Sequence, residues 1–154
     1  MRINEVVNYK LNSESEAEQL SAVQQAGESI YYIKNPSEAV QLAAVQNHGD
    51  AIEYIENPSE AVKLAATRNF GFAIRHIYNP SPAVQLAAVQ QNGHTISYIN
   101  NPSKHVVISA ILQLAYDATD NRSRDPLIKL VDKYKKQYPQ WPEWRAIEKS
   151  LERS

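Results

Sequence analysis

The 154-residue chain contains no cysteine. That absence excludes disulfides and thiolate metal sites, and nothing else points to an oxidising compartment. Glycine is scarce, with four copies, and they form neither a GxGxxG nor a Walker loop for holding phosphates. No apolar run approaches the roughly eighteen residues of a membrane span, and the opening MRINEVVNYKL lacks the apolar stretch of a signal peptide. The expectation is a cytoplasmic protein with no membrane partner. Excess charge of either sign is also missing: 16 Lys and Arg stand against 17 Asp and Glu, a formal net charge of −1. Dedicated nucleic-acid binders usually carry a clear basic excess, so the balance argues against that class. The charges are unevenly placed, however. Residues 13–56 carry eight carboxylates, Asp50, Glu53 and Glu56 among them, against Lys34 alone, whereas the C-terminal end leans basic. Such polarity permits head-to-tail self-association, and with it a homo-oligomer.

What is present is repetition. Gly27, Gly49, Gly71 and Gly93 are 22 residues apart, and Asn-Pro-Ser triplets beginning at Asn35, Asn57, Asn79 and Asn101 keep the same step. They divide the chain into repeats 13–34, 35–56, 57–78, 79–100 and a partial fifth, 101–122, with Ala115 at its glycine position. Residues 1–12 precede the repeats as an N-terminal cap or extension. The first repeat is degenerate, with Ser13 and Glu14 in place of Asn-Pro, as suits a terminal unit.

Each repeat is read as two helices. Pro82 keeps Ser81 out of the α-region, which makes Ser81 the N-cap with Pro82 at the first helical position, and Ser37, Ser59 and Ser103 cap the equivalent helices. The first helix runs through AVQLAAVQN to the glycine, expected here as a left-handed stop just past a helix end. A shorter second helix, as in DAIEYIE, lasts until the next Asn-Pro breaks it. Val40, Leu42 and Val45 supply bulk on the first helix, and Ala39, Ala43 and Ala44 let neighbouring helices approach closely. Ile52 and Ile55 share one face of the second helix, with Tyr54 beside them. One unit buries too little apolar surface to offset the entropy of ordering its residues, so the copies must bury one another. The fold class is all-α: a short α-solenoid of two-helix repeats. Residues 123–154 close it with two amphipathic helices, Leu127, Val131 and Tyr134 forming one stripe behind an Asp125 cap, and Trp144, Ile147 and Leu151 another. They read as a C-terminal cap, with a docking helix for a partner as the alternative.

The skeleton LAAVQQNG followed by AIxYI, across residues 13–114, resembles a family of short helical repeats of unknown function found in bacterial, phage and giant-virus proteins. It is distantly similar to the variant leucine-rich repeats. The resemblance implies an interaction scaffold and supplies no catalytic residue; the 22-residue step is shorter than usual there. MRINEVV resembles the starts of some tailed-phage structural proteins, and Ile3-Asn4-Glu5 matches the Ile/Leu-x-Glu pattern cut by some prohead proteases. A phage or viral version would bind a host factor or act in virion assembly, in the host cytoplasm or in the virion.

Residues for catalysis are not grouped. His48, His76, His94 and His105 occupy different repeat positions, none pairs at i, i+4 with a carboxylate as zinc would need, and no nucleophile has a base beside it. His76 stands where Tyr32, Tyr54 and Tyr98 stand, which reads as one partly buried ring replacing another. No catalytic residue, metal or cofactor is expected, and the chain is not read as an enzyme. Asn35, Asn57, Asn79 and Asn101 have two open structural readings: a ladder of amides between units, or a plain Asn-Pro turn preference. Outer first-helix residues such as Gln19, Gln41 and Gln85 hardly vary and read as a solvated or packed back.

Function is sought where the copies differ and the fold does not require it. In the second helix the positions i, i+3, i+6 face away from the isoleucines and change sharply: Glu28, Tyr31, Lys34; Asp50, Glu53, Glu56; Phe72, Arg75, Tyr78; His94, Ser97, Asn100. The third triplet, with Arg68 near it, holds the aromatic and arginine types enriched in binding hot spots. The reading is a scaffold that binds another protein, with Phe72, Arg75 and Tyr78 as anchors and Asp50, Glu53 and Glu56 as steering charges. Neutral drift on a solvated face would give the same variability. A different class, nucleic-acid binding, would use Lys63, Arg68 and Arg75 with the basic tail from Lys129 to Lys136, and Phe72 or Tyr78 to stack a base.

Overall fold

The computed structural model describes residues 15–117 and 124–151. The N-terminal extension, with Ile3-Asn4-Glu5, and residues 118–123 lie outside the described residues. Those described are all-helical, with no strand. Helices α1 (Glu16–Gln25), α2 (Glu38–Asn47), α3 (Glu60–Asn69) and α4 (Pro82–Gln91) alternate with η1 (Gly27–Tyr32), η2 (Gly49–Tyr54), η3 (Gly71–His76) and η4 (Gly93–Tyr98), and α5 (Lys104–Asp117), α6 (Asp125–Gln137) and α7 (Trp144–Leu151) follow.

The serine caps form as expected. Ser15, Ser37, Ser59 and Ser81 are extended, with φ between −64 and −61°, and the hydroxyl accepts from the amide three residues on, Val62 N–H at 3.3 Å from Ser59. Ser103 does the same with Val106. Three of these hydroxyls also donate to the preceding repeat: Ser37 to Glu16, Ser59 to Glu38, Ser81 to Glu60. Ser59→Ala therefore leaves two groups without their partner. It is expected to lower stability by about 1–2 kcal/mol, read as a lower urea midpoint at unchanged slope.

The short second element is a 3-10 helix. Its i to i+3 bonds, such as Ile55 N–H to Ile52 O at 3.1 Å, give three residues per turn, so Gly49, Ile52 and Ile55 align on one buried edge. The outward triplets share the same three-residue period and line up for the same reason.

The glycines are not left-handed stops: none has positive φ. Each is excluded from carrying a side chain by the next repeat. A Cβ on Gly49 would stand 2.7 Å from both Ala66 O and Phe70 Cβ, the end of the following helix. The left-handed residues are instead Asn35, Asn57, Asn79 and Asn101, at φ 46–55°. Asparagine tolerates that conformation best after glycine, which decides their role for the turn.

The ladder between units is made by other amides. Asn47 accepts from Gly27 N–H at 2.8 Å and donates to Gln24 O at 2.8 Å; Asn69 repeats this with Gly49 and Gln46, and Gln91 accepts from Gly71. Serine bonds join the N-terminal ends of neighbouring helices and amide bonds their C-terminal ends, so α1 to α4 lie side by side and parallel. The result is a layer of α-helices against a layer of 3-10 helices, with Val40, Ala44, Val45, Ile52 and Ile55 buried between them. Ala39, expected between helices, is exposed, and Ala43 and Leu42 are half-buried. At 100° per residue Ala39 lies opposite the Val40–Ala44 edge that meets the 3-10 layer.

In the fifth unit Ala115 does not interrupt the helix, and α5 runs on to Asp117. Beyond it, Leu127, Val131, Tyr134, Trp144 and Ile147 join one core with Val107, Ile111 and Leu114, which supports the cap reading. Asp125 is not the cap of α6: the preceding residue is already helical, at φ −83° and ψ −22°, so Asp125 falls inside the first turn. Lys104 holds Glu143 at 2.5 Å and, by that hydrogen bond first, keeps its carboxyl below the usual carboxylate range. A lowered folded value means that this contribution is present above the unfolded carboxylate's pKa and is lost as pH falls through the folded one.

Candidate functional site

The outward edge of the 3-10 layer carries the variable triplets. Glu28, Tyr31, Glu53, Glu56, Arg75 and Tyr78 are exposed there, whereas Asp50 and Phe72 are half-buried. Neighbouring units pair these side chains. Arg75 bonds Asp50 at 2.5 Å and donates through Nε to His76 at 2.9 Å, and His76 in turn lies 3.6 Å from Asp50 and 3.4 Å from Glu53. Four of the polar residues thus form one cluster across repeats 35–56 and 57–78. His76 stands at the position held by Tyr32, Tyr54 and Tyr98 in other repeats, beside the Asp50 and Glu53 carboxylates. Where tyrosine occupies it, in Tyr54, a hydrogen bond to Glu53 above all pushes the phenol up to about 12.

Phe72 is no free anchor. Its ring sits 5.7 Å from Phe70 and 6.0 Å from Tyr98, edge to face with the latter. Tyr78 is free in that sense, 87 % exposed. Arg68 belongs to the opposite face, beside Leu64 and Leu86. The arginines proposed for phosphate contact therefore do not gather on one surface. The partly exposed Tyr138 and Trp141 are stacked ring on ring between Tyr134 and Trp144, at 6.5, 4.5 and 5.6 Å, so their faces are already occupied.

Two grooves open on the 3-10 side, and they are equivalent. One, of about 570 Å³, is lined by Lys34, Asn35, Gln41, Tyr54 and Glu56. The other, of about 500 Å³, is lined by Tyr78, Asn79, Gln85, Tyr98 and Asn100, each 44 residues later. The frame is constant: the left-handed asparagine, the tyrosine wall, and a glutamine that donates to the adjacent proline carbonyl at 2.9 Å in both. Gln41 and Gln85 are thus packed rather than solvated. The corners differ: Tyr31 becomes Arg75, Lys34 becomes Tyr78 and Glu56 becomes Asn100. The intervening unit has Lys63 at the glutamine position.

Sequence reasoning missed the amide ladder, although its signal was there. An amide stands two positions before every glycine and before Ala115: Gln25, Asn47, Asn69, Gln91 and Gln113. Among the described residues no three of His, Asp and Glu group to hold a metal ion, and no helix is long and apolar enough to cross a membrane. Comparison of the chain with protein-family models, with curated proteins and with solved structures returns no match.

Proposed function

We propose that the protein is a non-enzymatic scaffold that binds an extended segment of another protein along its 3-10 face. The observation that carries this reading is the pair of equivalent grooves, constant in frame and variable in corner. Adjacent helices pack about 8–10 Å apart, so two repeats separate the grooves by roughly 16–20 Å. An extended chain covers that distance in about five or six residues at ~3.3 Å each, which lets one segment fill both. Tyr78 and Glu56 contact such a segment directly; Asp50 holds Arg75, and Phe72 backs the Tyr98 wall.

The test follows from that division of roles. A proteome-derived peptide library is selected in parallel on the native protein and on the Tyr78→Ala/Glu56→Lys variant, both positions being exposed and outside the core. Enrichment of peptides sharing two anchor positions five or six residues apart, lost on the variant, is expected. No enrichment over a blank surface, or enrichment that the variant retains, would remove the grooves from consideration.

A further inference from the structure

The opposite face has the composition of an interface. Each α-helix of the repeats turns four residues away from the 3-10 layer, in α2 Ala39, Leu42, Ala43 and Gln46. The same positions read Ala-Leu-Ser-Gln in α1, Ala-Leu-Ala-Arg in α3, Ala-Leu-Ala-Gln in α4 and His-Ile-Ser-Leu in α5, and all but Ala87 are exposed or half-buried. These twenty positions hold one formal charge, Arg68. A solvated surface carries charge at about a quarter to a third of its positions, which would be about five to seven here. The 3-10 face, with Glu28, Lys34, Asp50, Glu53, Glu56 and Arg75, follows that norm; this face departs from it. It is also grooved, with a cleft of about 410 Å³ between α3 and α4 lined by Leu64, Ala83, Leu86 and Ala87.

We infer that this face is covered by a second copy of the chain, about a two-fold axis that crosses the helices at mid-length and sets each against its own copy, antiparallel. Two features select that occupant and that orientation. The first is area. Ten-residue helices are about 15 Å long, and five of them at about 8–10 Å spacing give a footprint of roughly 600–750 Å². Stable interfaces bury about 600–1,000 Å² per partner, a range this footprint meets, and side chains that interdigitate bury more than their footprint. The second is charge. Glu16, Glu38 and Glu60 edge the face at the helix N-termini, and Arg68 lies near a helix C-terminus. Antiparallel pairing brings Arg68 of each copy toward the acidic first turn of the other, and opposes the helix dipoles. Exposed alanines let the two helix layers approach closely. Both 3-10 faces then point outward, so the dimer offers its grooves twice. This inference stands apart from the proposed function, since it concerns the other face.

Sedimentation velocity on the full chain between about 1 and 100 µM provides the test. Twice the chain mass is expected at the upper end, with dissociation on dilution. Ala83→Glu/Gln90→Glu, positions that face each other across the axis and are exposed in the single chain, sets four like charges in opposed pairs in the dimer interface and is expected to give a monomer with an unchanged helical spectrum. Ala65→Cys, the only thiol in the variant, sits beside the axis and is expected to form a disulfide between copies under mild oxidation. A native chain that stays monomeric throughout, a dimer that survives both glutamates, or a dimer in which Cys at position 65 does not cross-link would each overturn the inference.

Discussion

Replacing Gly49 with alanine is expected to lower stability by about 2–3 kcal/mol, and replacing it with asparagine by at least as much. The paired substitution separates two reasons for a glycine. Were Gly49 a left-handed helix stop, asparagine would be tolerated there, since it is the residue that most readily follows glycine into that region. The backbone at Gly49 is not left-handed, however, and the space a Cβ needs is occupied by Ala66 O and Phe70 Cβ, each at 2.7 Å. Both belong to the next helix end and neither is the far end of a flexible side chain, so the repeats must separate to make room. Separation also stretches the Gly49 N–H to Asn69 bond, now 2.8 Å. The converse substitution sharpens the test. Asn57→Gly, at φ 50°, is expected to change stability by only a few tenths of a kcal/mol, because glycine adopts that backbone without strain. Urea unfolding of the three variants gives the comparison.

Trp144→Ala is expected to lower stability by about 3–5 kcal/mol, the larger of the two effects. The indole is 3 % exposed, donates through Nε1 to Tyr138 O at 2.8 Å, and stacks at 5.6 Å on Trp141. Its removal leaves a cavity beneath α7 and takes one of the two donors from Tyr138 O, which keeps the Trp141 N–H at 3.2 Å. Because the same core includes Ile111 and Leu114 of α5, the loss is felt by the last repeat and not by the terminal helix alone. A docking helix would behave differently: truncating its tryptophan would leave the denaturation of the repeats in place. Far-UV circular dichroism across a urea titration distinguishes a shifted midpoint from an unchanged one.

Much of the architecture is readable from the residues because each repeat states it again. The serine caps, the buried isoleucines and the closing stripes at Leu127 and Trp144 all follow from local spacing, and the structure places them as expected. What spacing does not convey is which neighbour a residue meets. Glycine before a turn has two physical causes, an unusual φ or a close approach, and only the position of Phe70 and Ala66 selects between them. Alanine likewise marks a small side chain without telling whether a helix or solvent stands beyond it, so Ala39 was expected inward and lies outward.

The candidate site shows the same limit. Variability located the outward column, and the three-residue period of the 3-10 helix keeps that column in line. Partnership within it depends on residues in adjacent units. Arg75 and Asp50, an anchor and a steering charge by sequence, are one ion pair, and Phe72 is a wall for Tyr98. The grooves themselves arise only when two units are side by side, which no single repeat discloses.

Amide hydrogen exchange at the glycines tests most directly the division between positions committed to the stack and positions left open for function. Gly27, Gly49 and Gly71 begin 3-10 helices, where an N–H has no partner in its own helix, and each is bonded across the repeat boundary at 2.8 Å to Asn47, Asn69 or Gln91. Gln113, the fifth amide of the series, donates instead to Asp117, so Gly93 serves as the internal comparison. The account predicts protection at the first three comparable with the helix interiors and weaker protection at Gly93. Exchange at Gly27, Gly49 and Gly71 as fast as in the Asn-Pro turns would contradict it, and with it the separation of constant frame from variable corner on which the proposed grooves rest.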